Sequence, residues 1–127
     1  MRTTLAVLFA GLALVGLTAP LVAHHAVGAE YDPSKIVKLT GTVSKIEWTN
    51  PHARIYFDVT QDGKTTTWNV ELAARSALVR QGWTGSSVKI GETVTVEGML
   101  ARSGVSGVNA RVVTKADGSR VFGGGND

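Results

Sequence analysis

The chain has 127 residues, with 13 Lys and Arg against 10 Asp and Glu, three His and no Cys. That length suits one small domain rather than a multidomain enzyme, and a formal charge of +3 is too thin to be an electrostatic footprint on DNA, RNA or acidic lipid. Without cysteine there are no disulfides, thiolate metal centres, thiol nucleophiles or thioether-linked haem.

Arg2 gives a positive start, and Leu5 to Leu17 form an uncharged apolar run. The run is short for a membrane-spanning helix and has the length of a cleaved export signal. Small residues permit cleavage after Ala19, Ala23 or Ala29, and the distance from the apolar run favours Ala23. The expected organisation is a signal over 1–23, an extended arm over 24–35, a barrel domain over 36–122 and a flexible tail over 123–127. The expected location is the periplasm, with no stable membrane insertion after cleavage.

Cleavage after Ala23 makes His24 the first residue, followed by His25. The free amine and imidazole of His24 can chelate Cu(II), and His25 and His52 are further imidazole donors suited to copper. Copper is therefore the candidate cofactor and His24, His25 and His52 the candidate metal ligands. Cleavage after Ala29 removes two of the three and with them the site.

Val37 to Val43 alternates with period two, placing Val37, Leu39, Gly41 and Val43 inward. Ile46 and Trp48 continue in the other phase, so a bulge is expected near Ser44 or Lys45. Asn50-Pro51 ends this strand as a turn. A second strand follows from Ala53, with Ala53, Ile55, Phe57 and Val59 inward and Arg54, Tyr56 and Asp58 outward. Asp62-Gly63 is a hairpin signal. The returning strand from Thr65 to Leu72 turns Thr66, Trp68, Val70 and Leu72 inward and Thr67, Asn69 and Glu71 outward.

Ala73 to Gln81 can form two helical turns ended by Gly82, anchored by Leu78 and Val79 with Trp83 just beyond. Thr93 to Leu100 is a fourth strand, with Val94, Val96, Gly98 and Leu100 inward. Val108, Ala110 and Val112 mark a fifth. The expected fold is all-β, a small five-stranded OB-like barrel with one short helix between strands 3 and 4.

The most distinctive stretch is Glu47 to Arg54, in which His52 follows the Asn50-Pro51 turn. Neighbouring outward faces add Arg54 with Tyr56, Asn69 with Glu71, and Asn109 with Arg111. Guanidinium and amide groups beside an aromatic ring can recognise a polar ligand through directional hydrogen bonds. Trp48, Asn50, His52, Arg54, Tyr56, Asn69, Glu71, Asn109 and Arg111 are thus the candidate ligand or partner surface. Trp68 and Trp83 are expected in the core. Lys and Arg are scattered singly, so the expected partners are a protein or a small polar ligand and no nucleic acid. No serine sits in a nucleophile elbow and no glycine-rich phosphate loop opens a helix, so no catalytic residue is named.

His24-His25 with Glu30-Tyr31-Asp32, Leu39 to Val43, Trp48-Thr49-Asn50-Pro51-His52-Ala53, Gly82-Trp83-Thr84 and Asn109-Ala110-Arg111 together resemble a family of exported proteobacterial proteins described as a domain of unknown function. The resemblance implies export and a domain spanning nearly all of the mature chain, and implies no activity. Ala26 and Val27 stand where similar proteins often carry Ser and an aromatic residue. Three functions follow: a soluble periplasmic binding or accessory module, a copper-binding protein, or a structural and interaction protein without a small ligand.

Overall fold

The computed structural model describes residues 27–123; the expected signal, His24, His25 and all but the first residue of the expected tail lie outside that range. The chain divides into a unit up to Glu30 and a second from Tyr31 onward. In the first, residues 27–30 are helical. The second contains β1 (Tyr31–Glu47), β2 (Arg54–Gln61), β3 (Lys64–Glu71), α1 (Arg75–Arg80), β4 (Thr93–Ala101), β5 (Gly107–Lys115) and β6 (Arg120–Gly123).

The strands lie in the order β3-β2-β1-β4-β5-β6, and β3 also pairs with β5. That extra pairing is parallel, matches Asn69 with Gly107 and Glu71 with Asn109, and closes β1, β2, β3, β5 and β4 into a ring of five. The fold is the all-β OB-like barrel. β6, which the sequence reading leaves out, pairs antiparallel with β5 at Val112 to Thr114. β1 starts at Tyr31, ahead of the expected barrel start at 36. Tyr31 pairs with Ala101 and Asp32 with Leu100 before the ladder is interrupted between Asp32 and Ile36, around Pro33, which has no N–H to give.

Period-two alternation accounts for the core. Leu39, Val43, Ala53, Ile55, Phe57, Val59, Val70, Leu72, Val94, Val96 and Val108 are buried, joined by Leu78 and Trp83 from the α1 segment. The expected bulge in β1 falls between Val43 and Lys45, where the pairing to β2 shifts. The two-residue hairpin at Asp62-Gly63 has positive φ at both positions, 51° and 75°, the geometry that matches strand twist. Val79 is 54% exposed and anchors nothing, because Leu78 alone turns inward on so short a helix.

Two further sequence expectations fail for one reason. Gly98 pairs with Ala110 but Glu97 pairs with Val112, so Arg111 is an extra residue on β5. Beyond this bulge the inward phase moves from Val112 to Val113, which is fully buried, and Arg111 leaves the face it was expected to share with Asn109.

Gly98 and Gly41 permit the strong curvature. A Cβ on Gly98 would collide with the Asn109 carbonyl, and one on Gly41 would lie 2.5 Å from the Asp58 carbonyl oxygen. Both obstacles are backbone and cannot swing away. Gly98→Ala is expected to lower unfolding free energy by about 1–3 kcal/mol. Gly85→Ala, whose Cβ would meet only Trp48 at 3.7 Å, should change it by less than about 0.5 kcal/mol. Urea denaturation of the two variants checks the contrast.

Candidate ligand-binding face

Alternation places Glu71 on the outside of β3, yet its side chain is only 4% exposed. A carboxylate so far from water persists as an ion only if donors converge on it, and donors come from three other strands. Arg54 on β2 donates through Nη2 to Oε2 at 2.9 Å, and the Tyr31 hydroxyl on β1 donates to the same oxygen at 3.1 Å. Asn109 on β5 donates through Nδ2 to Oε1 at 3.3 Å. Arg54 also donates from Nη1 to Asn69 Oδ1 at 3.1 Å, so one guanidinium ties two positions of β3 together.

Register explains the convergence. Arg54 lies opposite Glu71, and Glu71 opposite Asn109, across the two pairings that flank β3. Tyr31 joins from forty residues away in sequence and is 7% exposed. It is the network member that sequence reasoning did not single out, although it stands in the Glu30-Tyr31-Asp32 stretch of the resemblance. Burial, with the Glu71 carboxylate facing it, pushes the Tyr31 hydroxyl up to about 12.

The loop between β1 and β2 adds the second half of the face. The Asn50-Pro51 bond is cis, and the Thr49 hydroxyl donates to the His52 carbonyl at 3.3 Å across the turn. His52 Nδ1 lies 3.2 Å from the Leu72 carbonyl and 4.0 Å from Glu71 Oε1. Since a carbonyl only accepts, that contact puts a proton on Nδ1 and leaves Nε2 as the ring nitrogen outside it. The imidazole is 41% exposed, and Asn50 beside it is exposed.

The other sequence candidates divide. Trp48 is half-buried and stacks on Trp83, with ring centres 6.3 Å apart and planes 18° from parallel. One face of its ring is therefore committed to Trp83. Tyr56 belongs to a neighbouring group: Lys45 Nζ sits 5.0 Å above its ring, its hydroxyl donates to Glu47 at 3.4 Å, and Lys45 pairs with Glu47 at 2.8 Å. Arg111, on the β5 bulge, is exposed and does not join the Glu71 network. Trp68, expected in the core, is only half-buried and lines an open groove.

The face has little depth. The cleft between Trp48, Arg54, Trp83 and Val88 holds about 10 Å³, scarcely one water. Among the described residues no group of three or more His, Cys, Asp or Glu is placed to hold a metal ion, and no helix is long and apolar enough to cross a membrane.

A family model described as a family of unknown function, DUF6152, matches residues 12–110. The chain belongs to the DUF6152 family. No curated protein matches it. Among solved structures it is similar to a mitochondrial single-stranded DNA-binding protein of S. cerevisiae, at 14% identity and a TM-score of 0.50, over 65% of this chain and 92% of that one. It is also similar to a small single-stranded DNA-binding protein of Streptomyces coelicolor, at 22% identity and a TM-score of 0.47, over 64% and 91%. The likeness to the yeast protein, at 14% identity, shows a shared fold. It nonetheless overturns the expectation of no nucleic acid as a partner. That expectation rested on scattered charge, and proteins named for binding single-stranded DNA share this member's barrel.

Glu71→Ala leaves Arg54 facing an empty, mostly buried site. With Arg54 31% exposed, the cost should fall at the low end for a broken buried pair, about 3 kcal/mol by chemical denaturation. A second prediction concerns pH. The Tyr31 hydroxyl holds its proton more tightly in the folded state, so its stabilisation is complete below the ordinary tyrosine value near 10 and is lost as pH rises towards about 12. Thermal melts from pH 9 to 12 should show this loss, and Tyr31→Phe should flatten it.

Proposed function

We propose that this DUF6152 member is an exported binding or accessory module that presents the outer face of β2 and β3, with the Asn50 to His52 turn, to a ligand or partner it does not transform. One observation carries the reading: the buried Glu71 carboxylate fixes Arg54, Arg54 in turn holds Asn69, and the Leu72 carbonyl holds His52 on the same face beside the β1–β2 loop. In OB barrels the β2–β3 face and the β1–β2 and β4–β5 loops are where extended polymers lie. With no deep pocket under it, such a face suits a polar chain laid across it more than a small enclosed molecule. The apolar run after Arg2 supports export, and the resemblance to exported proteobacterial proteins supports the periplasm as its location.

A photo-crosslinking residue at position 50, with one at position 117 as control, tests this in intact cells. The expected result is a discrete adduct from position 50 and none from 117, in the periplasmic fraction, on a chain shortened by its signal. Nuclease and protease sensitivity then sort the adduct into nucleic acid, such as the structural neighbours are named for binding, or protein. Adding Asn69→Ala and His52→Ala should remove the adduct while the far-ultraviolet spectrum stays that of the folded barrel and the melt stays cooperative. Equal capture at both positions, or none, rejects the reading.

A second reading has its own observation. His52 directs Nδ1 to the Leu72 carbonyl and leaves Nε2 outside that contact, the arrangement that orients a metal-binding imidazole. His24 or His25 would supply the remaining nitrogens for Cu(II). Native mass spectrometry with titrated Cu(II) should show one bound ion on a chain beginning at His24, lost in His52→Ala. A chain beginning at Glu30, or undiminished retention by the variant, removes copper from consideration.

A further inference from the structure

The barrel is closed by only three residue pairs between β3 and β5, from Asn69 with Gly107 to Glu71 with Asn109. Among the described residues, the first half of β3 has β2 on one side and no strand on the other. The hairpin register fixes what that free side carries. A two-residue loop makes Gln61 and Lys64 exchange hydrogen bonds, so Val59 with Thr66 and Phe57 with Trp68 do the same. The alternate residues Thr65, Thr67 and Asn69 must turn their N–H and C=O groups away from β2. Asn69 confirms the direction, since its N–H donates to the Ser106 carbonyl at 2.9 Å. Thr65 and Thr67 point the same way, and both are exposed.

Beside this edge lies an open groove of about 430 Å³, lined by Val59, Thr66, Trp68 and Ser106, with Asp62 and Lys64 at its rim. The groove takes the inward-phase side chains of β3, whereas the Arg54 face takes the outward-phase ones, so the two are different surfaces.

We propose that this gap accepts an extended peptide of a partner protein, added to β3 as a further strand with one large apolar side chain seated against Trp68. The occupant follows from the edge itself. Thr65 and Thr67 each present an N–H donor and a C=O acceptor about 6.7 Å apart along the edge, and an added polypeptide strand returns both partners at that repeat, whereas a phosphodiester backbone offers acceptors and no donor to meet the carbonyls. Strand addition of this kind takes affinity from main-chain hydrogen bonds and selectivity from pockets for alternate side chains. Val59 and Trp68 offer such a pocket, and the opposite charges of Asp62 and Lys64 leave its rim without a preferred sign.

The probe is a library of random dodecapeptides displayed on phage, selected on the exported protein. The expected winners carry a large apolar residue within an alternating pattern. Bound as synthetic peptides, they should slow hydrogen exchange of the Thr65 and Thr67 amides at least tenfold. Thr67→Pro removes an N–H that the barrel does not use and should weaken binding at least tenfold with the far-ultraviolet spectrum unchanged, while Thr67→Val, which keeps the N–H, binds as the parent does. If Thr67→Pro does not fold, exchange protection in the unsubstituted protein decides. No enriched peptide, protection elsewhere on the chain, full affinity in a folded Thr67→Pro, or concentration-dependent protection of Thr65 and Thr67 by a second copy alone would each overturn the proposal.

Discussion

Burial of the Glu71 carboxylate is the constraint on which the rest of the barrel's outer face depends. Taking an ion out of water costs several kcal/mol, on the order of what whole small domains have as net stability. The cost is offset only while Tyr31, Arg54 and Asn109 all reach the two oxygens. Those donors stand on β1, β2 and β5, so the network is satisfied in one relative register of four strands. A one-residue slip of any of them reverses its faces and removes its donor. The apolar core tolerates many exchanges of similar volume, but this polar cluster does not. It specifies the barrel more than it strengthens it.

The same closure leaves part of the sheet unfinished. β1 bends at its bulge after Val43, and β5 at Arg111, and the glycines at 41 and 98 let neighbouring backbone come close where the strands curve. These devices bring β5 against β3 only at Asn69 to Glu71. The loop from Arg102 to Ser106 meets β3 at Asn69, whose N–H donates to the Ser106 carbonyl, and beyond that point Thr65 and Thr67 have no neighbouring strand other than β2 among the described residues. The tight end of the seam carries the Glu71 network and the loose end the groove at Trp68. One geometric fact therefore produces two surfaces of different character, one polar and fixed, the other an open edge.

What the sequence made legible was local. The inward set of β2, the inward Val94, Val96 and Gly98 of β4, the bulge in β1 and the Asp62-Gly63 hairpin are all encoded in spacing along a few residues and are present, whereas Leu100, expected inward at the end of β4, is only half-buried. Convergence of Arg54, Asn69, Glu71 and Asn109 was also anticipated from outward parity. The burial of Glu71 was not. Parity says which face a residue takes, whereas burial of an outward residue depends on what covers that face, here a tyrosine forty residues earlier. Arg111 was misplaced because the adjacent Val112 and Val113 fit either phase of the strand, so the alternation alone does not say that a bulge precedes them. Setting nucleic acid aside failed for a related reason. Scattered charge speaks to the electrostatic part of binding, and single-strand recognition also draws on stacking and hydrogen bonding, which net charge does not count.

The polar groups of the Arg54 face divide into those committed to the scaffold and those left to meet a ligand. Both Glu71 oxygens are occupied by protein donors, and the Nδ1 of His52 is held by a main-chain carbonyl. What remains outward is His52 Nε2, the amides of Asn50 and Asn69, and the unused donors of Arg54. These are directional hydrogen-bonding groups on a scaffold locked by a satisfied network. Rigid positioning of this kind spares a bound chain the cost of ordering the surface beneath it, which is how a shallow face can still bind selectively.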